Sequence, residues 1–341
     1  MFCQFVPRSI TLSVTILVSA SIAVADITFD DVTGDPNTPA SNFYDILNGE
    51  YLHASAWGDV NNDGYPDLFA PKFNGFGYPD YGPHRLLINN TDGTFSESVQ
   101  AALNVSGMAS SGAAFADFDN DNDVDLIVGS FNNSTANAFS RIYENDGSGN
   151  FTDRTIGSGF DAILNAPSRT PFTFDADGDG DLDVLLQHDV YNGTAYQSHL
   201  MRNDGNFVFT QQTPWGGYTS PSGEGLQGLG GAVGDFDADG DPDFYFPSPT
   251  YRAPAYSTPN NRMFLNDGDG TFTEYGNNAF FNVAAEWDIA NVNFYGDWPV
   301  GAAAGDLNND GKLDLVAGKH FETAPSDQFR HAIRVFINQG N

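Results

Sequence analysis

The sequence predicts an all-β protein in which one sheet-forming unit recurs five times. Three observations lead there. The 341 residues include 37 Gly and 18 Pro and are 14% aromatic, a balance that favours many short strands over long helices. A nine-residue pattern recurs as Asp59-Val-Asn-Asn-Asp-Gly-Tyr-Pro-Asp67, Asp117-Phe-Asp-Asn-Asp-Asn-Asp-Val-Asp125, Asp175-Ala-Asp-Gly-Asp-Gly-Asp-Leu-Asp183, Asp235-Phe-Asp-Ala-Asp-Gly-Asp-Pro-Asp243 and Asp306-Leu-Asn-Asn-Asp-Gly-Lys-Leu-Asp314, with first residues 58, 58, 60 and 71 apart. A second pattern follows each copy: Leu87-Ile-Asn-Asn-Thr-Asp-Gly-Thr-Phe95, Tyr143-Glu-Asn-Asp-Gly-Ser-Gly-Asn-Phe151, Met201-Arg-Asn-Asp-Gly-Asn-Phe207, Phe264-Leu-Asn-Asp-Gly-Asp-Gly-Thr-Phe272 and Phe336-Ile-Asn-Gln-Gly-Asn341. Two linked patterns at a near-fixed period define a repeat.

Taken from the N-terminus, residues 1–25 read as a secretory signal peptide. Arg8 supplies the positive charge, Ile10 to Val24 the apolar stretch, and Ala23-Val24-Ala25 the small-residue cleavage site. A transmembrane anchor is the alternative, but the stretch is shorter than the ~20 residues a span needs. The single cysteine, Cys3, falls inside this segment, so the exported chain from Asp26 holds no disulfide.

The repeats run near 55–100, 113–160, 171–212, 231–276 and 302–341. Small-residue stretches such as Ser111-Gly-Ala-Ala-Phe115 and Gly301-Ala-Ala-Ala-Gly305 precede a nonamer and suit a strand packed closely on a neighbour. The short apolar runs after it (Leu68-Phe-Ala70, Leu126-Ile-Val-Gly129, Val184-Leu-Leu186, Phe244-Tyr-Phe246, Leu315-Val-Ala-Gly318) are too brief for helices and read as buried strands. The Asn-Asp-Gly cluster is a hairpin turn with its following Phe on the return strand. Each unit is then four short antiparallel strands that cannot bury both faces alone, which leads to a β-propeller of four-stranded blades over residues 26–341. A linear solenoid is the alternative, although its rungs are shorter. Ile27-Thr-Phe-Asp-Asp-Val-Thr33 resembles the continuation of the last copy and is expected as a closing strand. Two blade numbers stand: closure with five, or five blades of a larger, seven-bladed ring.

Charge excludes some functions. With 13 Lys+Arg against 45 Asp+Glu the net charge is −32, which argues against nucleic acid and anionic membrane surfaces as partners. A hydrophobic fraction of 40% still allows a core. No further long apolar run follows the signal, so no membrane insertion of the mature chain is expected.

The nonamers account for much of the acidity. Oxygen side chains stand at positions 1, 3, 5 and 9: Asp59, Asn61, Asp63 and Asp67; Asp117, Asp119, Asp121 and Asp125; Asp175, Asp177, Asp179 and Asp183; Asp235, Asp237, Asp239 and Asp243; Asp306, Asn308, Asp310 and Asp314. The backbone carbonyl of position 7, at Tyr65, Asp123, Asp181, Asp241 and Lys312, adds a further oxygen. Gly64, Gly180, Gly240 and Gly311, with Asn122 in the second copy, permit positive φ at position 6. An all-oxygen set without His or Cys selects calcium, up to five structural ions, and the nine-residue closure separates it from an EF-hand. Two carboxylates ~4 Å apart repel by about 4 kcal/mol at an effective dielectric of ~20, so an ion relieves several such pairs per loop. Affinities on the order of 10⁻⁴ to 10⁻³ M, as in extracellular modules, are expected.

On these residues the chain resembles the FG-GAP/VCBS repeat family, found in integrin α-subunits and exported bacterial proteins; Gly58-Asp59 to Leu68 and Gly305-Asp306 to Leu315 carry the likeness most closely. The resemblance implies a propeller, usually of seven blades, with calcium in loops between strands. Five repeats and Asn122 are departures, and the second marks that loop as the weakest site.

Aromatic loops, Phe73 to Tyr81, Tyr191 with Tyr196, Tyr251 with Tyr256, and Trp287 to Trp298, would stack on a sugar or cover blade edges. The reading is therefore an exported, non-catalytic binding or adhesion module for a glycan or extracellular protein, placed outside the cell, at its surface or in the periplasm. The alternative is a polysaccharide lyase-like enzyme using His188, Tyr191, His199 and Arg202, or Lys319-His320.

Overall fold

The computed structural model describes residues 54–73, 84–105, 108–130, 139–164, 168–188, 190–191, 194–195, 198–212, 230–247, 261–276, 299–319 and 334–340. The signal segment 1–25, the segment 27–33, Tyr196, Tyr251, Tyr256, Trp287 to Trp298 and His320 lie outside them. The chain divides into two compact units, Met1–Glu50 with Asn89–Ser96, and Tyr51–Ile88 with Glu97–Asn341. Of the first, only the Asn89–Ser96 turn is described; within it the Asn90 amide donates to the Thr94 carbonyl at 2.9 Å.

Sheet A comprises β1 (Ala56–Gly58), β2 (Asp67–Ala70), β3 (Arg85–Asn89) and β4 (Phe95–Ser98). Sheet B comprises β5 (Ser110–Ala116), β6 (Asp125–Ser130), β7 (Arg141–Asn145) and β8 (Phe151–Asp153). A 3-10 turn at Phe160–Ile163 leads to sheet C, built from β9 (Ser168–Phe174), β10 (Asp183–His188), β13 (His199–Asn203) and β14 (Phe209–Gln212), with β11 (Val190–Tyr191) and β12 (Thr194–Ala195) paired as a separate ribbon. Sheet D holds β15 (Ala232–Gly234), β16 (Asp243–Phe246), β17 (Arg262–Asn266) and β18 (Phe272–Glu274). Sheet E holds β19 (Pro299–Gly305), β20 (Asp314–Lys319) and β21 (Arg334–Phe336). All five are antiparallel and in sequence order, so each repeat is one sheet, as its alternating strand and turn signals require.

The apolar runs lie where both faces of a sheet are covered. On β6, Leu126 and Val128 pack towards sheet A, while Ile127 between them packs towards sheet C. On β10, Val184 and Leu186 face sheet B and Leu185 faces sheet D. Successive side chains point to opposite faces of a strand, so a strand sandwiched by neighbours needs an unbroken apolar stretch. Phe244, Phe246 and Phe264 complete the layer between sheets C and D, and Tyr245 and Met263 meet Leu315 and Ala317 between D and E. Among the described residues, Val335 of sheet E is 54% and Leu307 of its loop 53% exposed.

Small residues bring first strands together. A Cβ on Gly112 of β5 would lie 2.2 Å from the Arg169 carbonyl oxygen of β9. Neither β-carbon nor larger side chain fits at that approach.

The hairpin reading holds with one correction. Phe95, Phe151 and Phe272 each open a return strand six residues after the turn Asn, but Phe207 does not. In repeat 3 Asn206 and Phe207 take left-handed φ of 53° and 59°, and the strand opens at Phe209, which restores the six-residue spacing from Asn203. Phe207 stays buried against Phe118 from within the turn.

Candidate metal centre: five acidic loops

Each nonamer is the connection between the first and second strand of its sheet, and its ninth residue is the first residue of the second strand. Two left-handed residues shape it. Position 6 has φ of 88° at Gly64, 73° at Asn122, 94° at Gly180, 106° at Gly240 and 84° at Gly311. Position 4 is left-handed too, at Asn62 (58°), Asn120 (60°), Gly178 (74°), Ala238 (65°) and Asn309 (61°). Asn122 thus adopts the backbone of the glycines it replaces, as a residue tolerant of that region does.

The carboxylates then fold the loop around themselves. Position 1 accepts amides from across the turn: Asp117 takes those of Asp121 (3.1 Å) and Asn122 (2.9 Å), Asp235 those of Asp239 (3.1 Å) and Gly240 (3.1 Å), Asp59 and Asp306 the matching pair of positions 5 and 6, and Asp175 those of Gly178 and Gly180. Those bonds hold the Asp306 carboxyl below the usual range, the Gly311 amide contributing most. Position 5 accepts the amide of position 7 in every loop.

Position 9 is buried. Asp67, Asp125, Asp183, Asp243 and Asp314 are at most 1% exposed. Each accepts the amide of position 2, at 3.0, 2.9, 2.8, 2.7 and 2.9 Å. Asp125, Asp183, Asp243 and Asp314 accept, in addition, the backbone amides of Asn145, Asn203, Asn266 and Asn338 of the second pattern. Burial outweighs these bonds and pushes Asp125 and Asp183 up to about 7 and Asp243 to about 6.

Position 3 separates the loops into two kinds. In loops 2, 3 and 4, Asp119, Asp177 and Asp237 each have a buried Oδ1 with no hydrogen-bond partner. Burial raises all three carboxyls, with repulsion from Asp121, Asp179 and Asp239 next in size. Ligand atoms of Asp117, Asp119 and Asp125, of Asp175, Asp177 and Asp183, and of Asp235, Asp237 and Asp239 lie within 4.8 Å of one another in each group. In loops 1 and 5 the side-chain amides of Asn61 and Asn308 donate to Asp63 and Asp310 at 3.1 Å, so the neighbouring carboxylate is already met. An unpaired anionic oxygen out of water is costly, and a hard divalent cation is the partner that oxygens alone would hold. The residues present therefore fit calcium, most plainly in loops 2 to 4.

The other nominated residues lie elsewhere. Arg202 bonds to Asp204 at 2.7 Å and stands 3.7 Å from Asp177, so it borders loop 3. The His199 ring nitrogen meets the Gln211 amide at 2.6 Å, and burial lowers that histidine to about 4. The two are engaged with different partners, and the side chains of His188, Tyr191 and Lys319 lie outside the described residues, although their strands place them in β10, β11 and β20.

Two features were not foreseen. One is the left-handed position 4. The other is the Asn of the second pattern, which ties successive repeats together. Asn145 Nδ2 donates to the Val60 carbonyl of repeat 1 (2.8 Å) and to Val124 (3.1 Å); Asn203 reaches Phe118 and Leu182, Asn266 reaches Ala176 and Pro242, and Asn338 reaches Phe236 and Leu313. Its sequence signal was its recurrence in all five copies, which the hairpin turn alone does not demand.

Residues 59–128 and 255–317 match the FG-GAP-like repeat. The chain carries FG-GAP-like repeats. Loops 1, 2 and 5 fall within the matched residues, and loops 3 and 4 repeat the same bonds outside them. Cartilage acidic protein 1 is 29% identical over 189 residues in Xenopus tropicalis and 29% over 188 in Homo sapiens, in each case 54% of this chain. The FG-GAP-bearing chain spans about a quarter of those relatives, 27% and 26%. Among solved structures, the V. cholerae biofilm matrix protein Bap1 aligns with 79% of this chain and 35% of its own at 18% identity and a TM-score of 0.39. A putative exo-beta-1,3-galactanase from Bifidobacterium bifidum aligns with 78% and 82% at 10% identity and a TM-score of 0.41.

Proposed function

We propose that this chain is an extracellular, calcium-stabilised binding module whose five sheets are blades of a β-propeller. The observation that carries the calcium reading is the unpartnered, buried oxygen of Asp119, Asp177 and Asp237 at the centre of loops 2 to 4. Asp117, Asp119, Asp121 and Asp125 with the Asp123 carbonyl would hold one ion, and the matching residues of the other loops the rest. The ion supplies positive charge where carboxylates crowd. The residues do the remainder: position 9 anchors the loop to its sheet, and position 1 closes the turn.

The propeller reading is supported by the order of the sheets, by their face-to-face packing in sequence, and by the proximity of β1 to β5, β5 to β9 and β15 to β19. The extracellular reading is supported by the signal-like N-terminus and by a relative named for an acidic protein of cartilage. Among the described residues no helix is long and apolar enough to cross a membrane. The ligand class is a glycan or an extracellular protein.

Thermal melting with and without a chelator tests the structural ion. Chelation is expected to lower Tm by more than about 10 °C, with recovery on added calcium, since anything binding only the folded chain stabilises it by mass action. Identical melting curves, together with no heat on calcium titration, would reject the reading.

A further inference from the structure

We infer that loops 1, 2 and 3 load calcium as a coupled series, through side-chain bridges that pass from position 4 of one loop to position 7 of the next, and that the series stops at loop 3. The inference rests on the calcium reading above and adds how those sites influence one another.

The bridges are explicit. Asn62 Nδ2, at position 4 of loop 1, donates to Asp123 Oδ1 in loop 2 at 2.6 Å and approaches the Gly147 carbonyl at 3.4 Å. Asn120 Nδ2, at position 4 of loop 2, donates to Asp181 Oδ1 in loop 3. Each donor sits between positions 3 and 5 of its own loop, and each acceptor belongs to the residue whose carbonyl would be a ligand in the next. The bridging carboxylate is spent on the neighbouring loop, which leaves position 7 to act through its backbone.

Fixing loop 1 around an ion fixes the left-handed Asn62 and thereby the residue carrying the Asp123 carbonyl. Loop 2 then binds with part of its ordering already done, and passes the same advantage through Asn120 to loop 3. A second ligand entering an already ordered site loses less conformational entropy, which is positive cooperativity without any large movement.

The next junction lacks the bridge but keeps the place for it. Position 4 of loop 3 is Gly178, with no donor to offer. A Cβ on Gly178 would lie 3.6 Å from the Gly268 carbonyl, the counterpart of the Gly147 carbonyl near Asn62. Asp241 is also in position: a Cβ on Gly268 would be 2.5 Å from its Oδ2, as one on Gly147 would be 2.3 Å from Asp123 Oδ2. At the last junction Ala238 offers no donor and Lys312 instead donates to the Gln339 carbonyl at 3.0 Å.

Calcium titration of the full chain, followed by calorimetry and by counting bound ions at equilibrium, tests this. Wild type is expected to show a Hill coefficient above 1. Asn62→Gly and Asn120→Gly remove the donor while keeping a residue at ease with positive φ, and should bring the coefficient towards 1 and weaken the later loops on the order of fivefold or more at unchanged stoichiometry. Gly178→Asn should raise the coefficient by adding loop 4, a gain that general destabilisation would not produce. Full stoichiometry with the same isotherm in all four proteins overturns the coupling and leaves the calcium reading intact. No bound calcium in wild type overturns both.

Discussion

Asp at position 9 and the residue at position 4 show how one side chain sets a loop. A carboxylate at the first residue of a strand satisfies the amide of position 2 and, as at Asp125, Asp183, Asp243 and Asp314, that of the next hairpin, so it joins turn to sheet. Position 4 needs positive φ, and Ala238 meets that demand with the wrong residue. Ala238→Gly should therefore stabilise the protein by about 1 kcal/mol in chemical denaturation, the cost that a β-carbon carries in the left-handed region. A different residue adds a sensitivity to acid. His84 is 5% exposed, accepts the Lys72 amide at Nδ1 (3.0 Å), and is lowered to about 4 by burial, with Arg141 adding to the effect. The unfolded chain then binds more protons than the folded one between about pH 6.5 and 4, so this stability is complete above 6.5 and is lost as pH falls towards 4. Comparing wild type with His84→Gln across that window should show the wild type losing more stability on acidification; parallel pH profiles would refute it. The acidic positions and the position-6 turn were legible because Asp and Gly recur there. Position 4 was harder to read because Asn, Gly and Ala share it, and only the backbone shows what they have in common.

At the scale of elements, apolar runs gave away the strands. Leu126-Ile-Val reads as buried on both sides because no polar residue interrupts it, and the structure covers both sides. Partnering between sheets was less visible, since it depends on an amide aimed at main-chain oxygens of the preceding repeat. Asn203 is fully buried and serves the carbonyls of Phe118 and Leu182 at 2.8 and 3.2 Å. Asn203→Ala removes the amide that both carbonyls bond and should cost about 2 kcal/mol or more, read from urea denaturation in excess calcium so that metal loading is held constant. A loss below about 0.5 kcal/mol would mean that the tie is incidental. Phe207 was misplaced for a related reason: in repeat 3 the pattern's Phe comes two residues earlier than in the other hairpins, inside a turn of the same length, where Asn206 and Phe207 are left-handed and the return strand opens at Phe209.

For the molecule as a whole, the net charge of −32 is the governing quantity. Self-repulsion of that size weakens the compact state and is screened by salt. In chelator, raising ionic strength from about 0.01 M to about 1 M, which shortens the screening length from about 30 Å to about 3 Å, should raise Tm substantially. In saturating calcium the same change should raise it less, because bound ions have already offset part of the charge. Equal shifts in both media would show that the carboxylate clusters are not where the strain resides. Charge and repeat number were plain from composition and spacing. The sheet order followed from the repeats, whereas the faces on which neighbours meet required coordinates.

The asparagine ties have an implication for how such chains grow. Each amide reads only carbonyl oxygens of the main chain ahead of it, at Val60, Phe118, Ala176 and Phe236, residues that range in size from alanine to phenylalanine. A joint that ignores its neighbour's side chain accepts any neighbour of like backbone. Copies can then be duplicated or drift apart in sequence while this tie still forms, so long as the apolar layers between the sheets keep their fit.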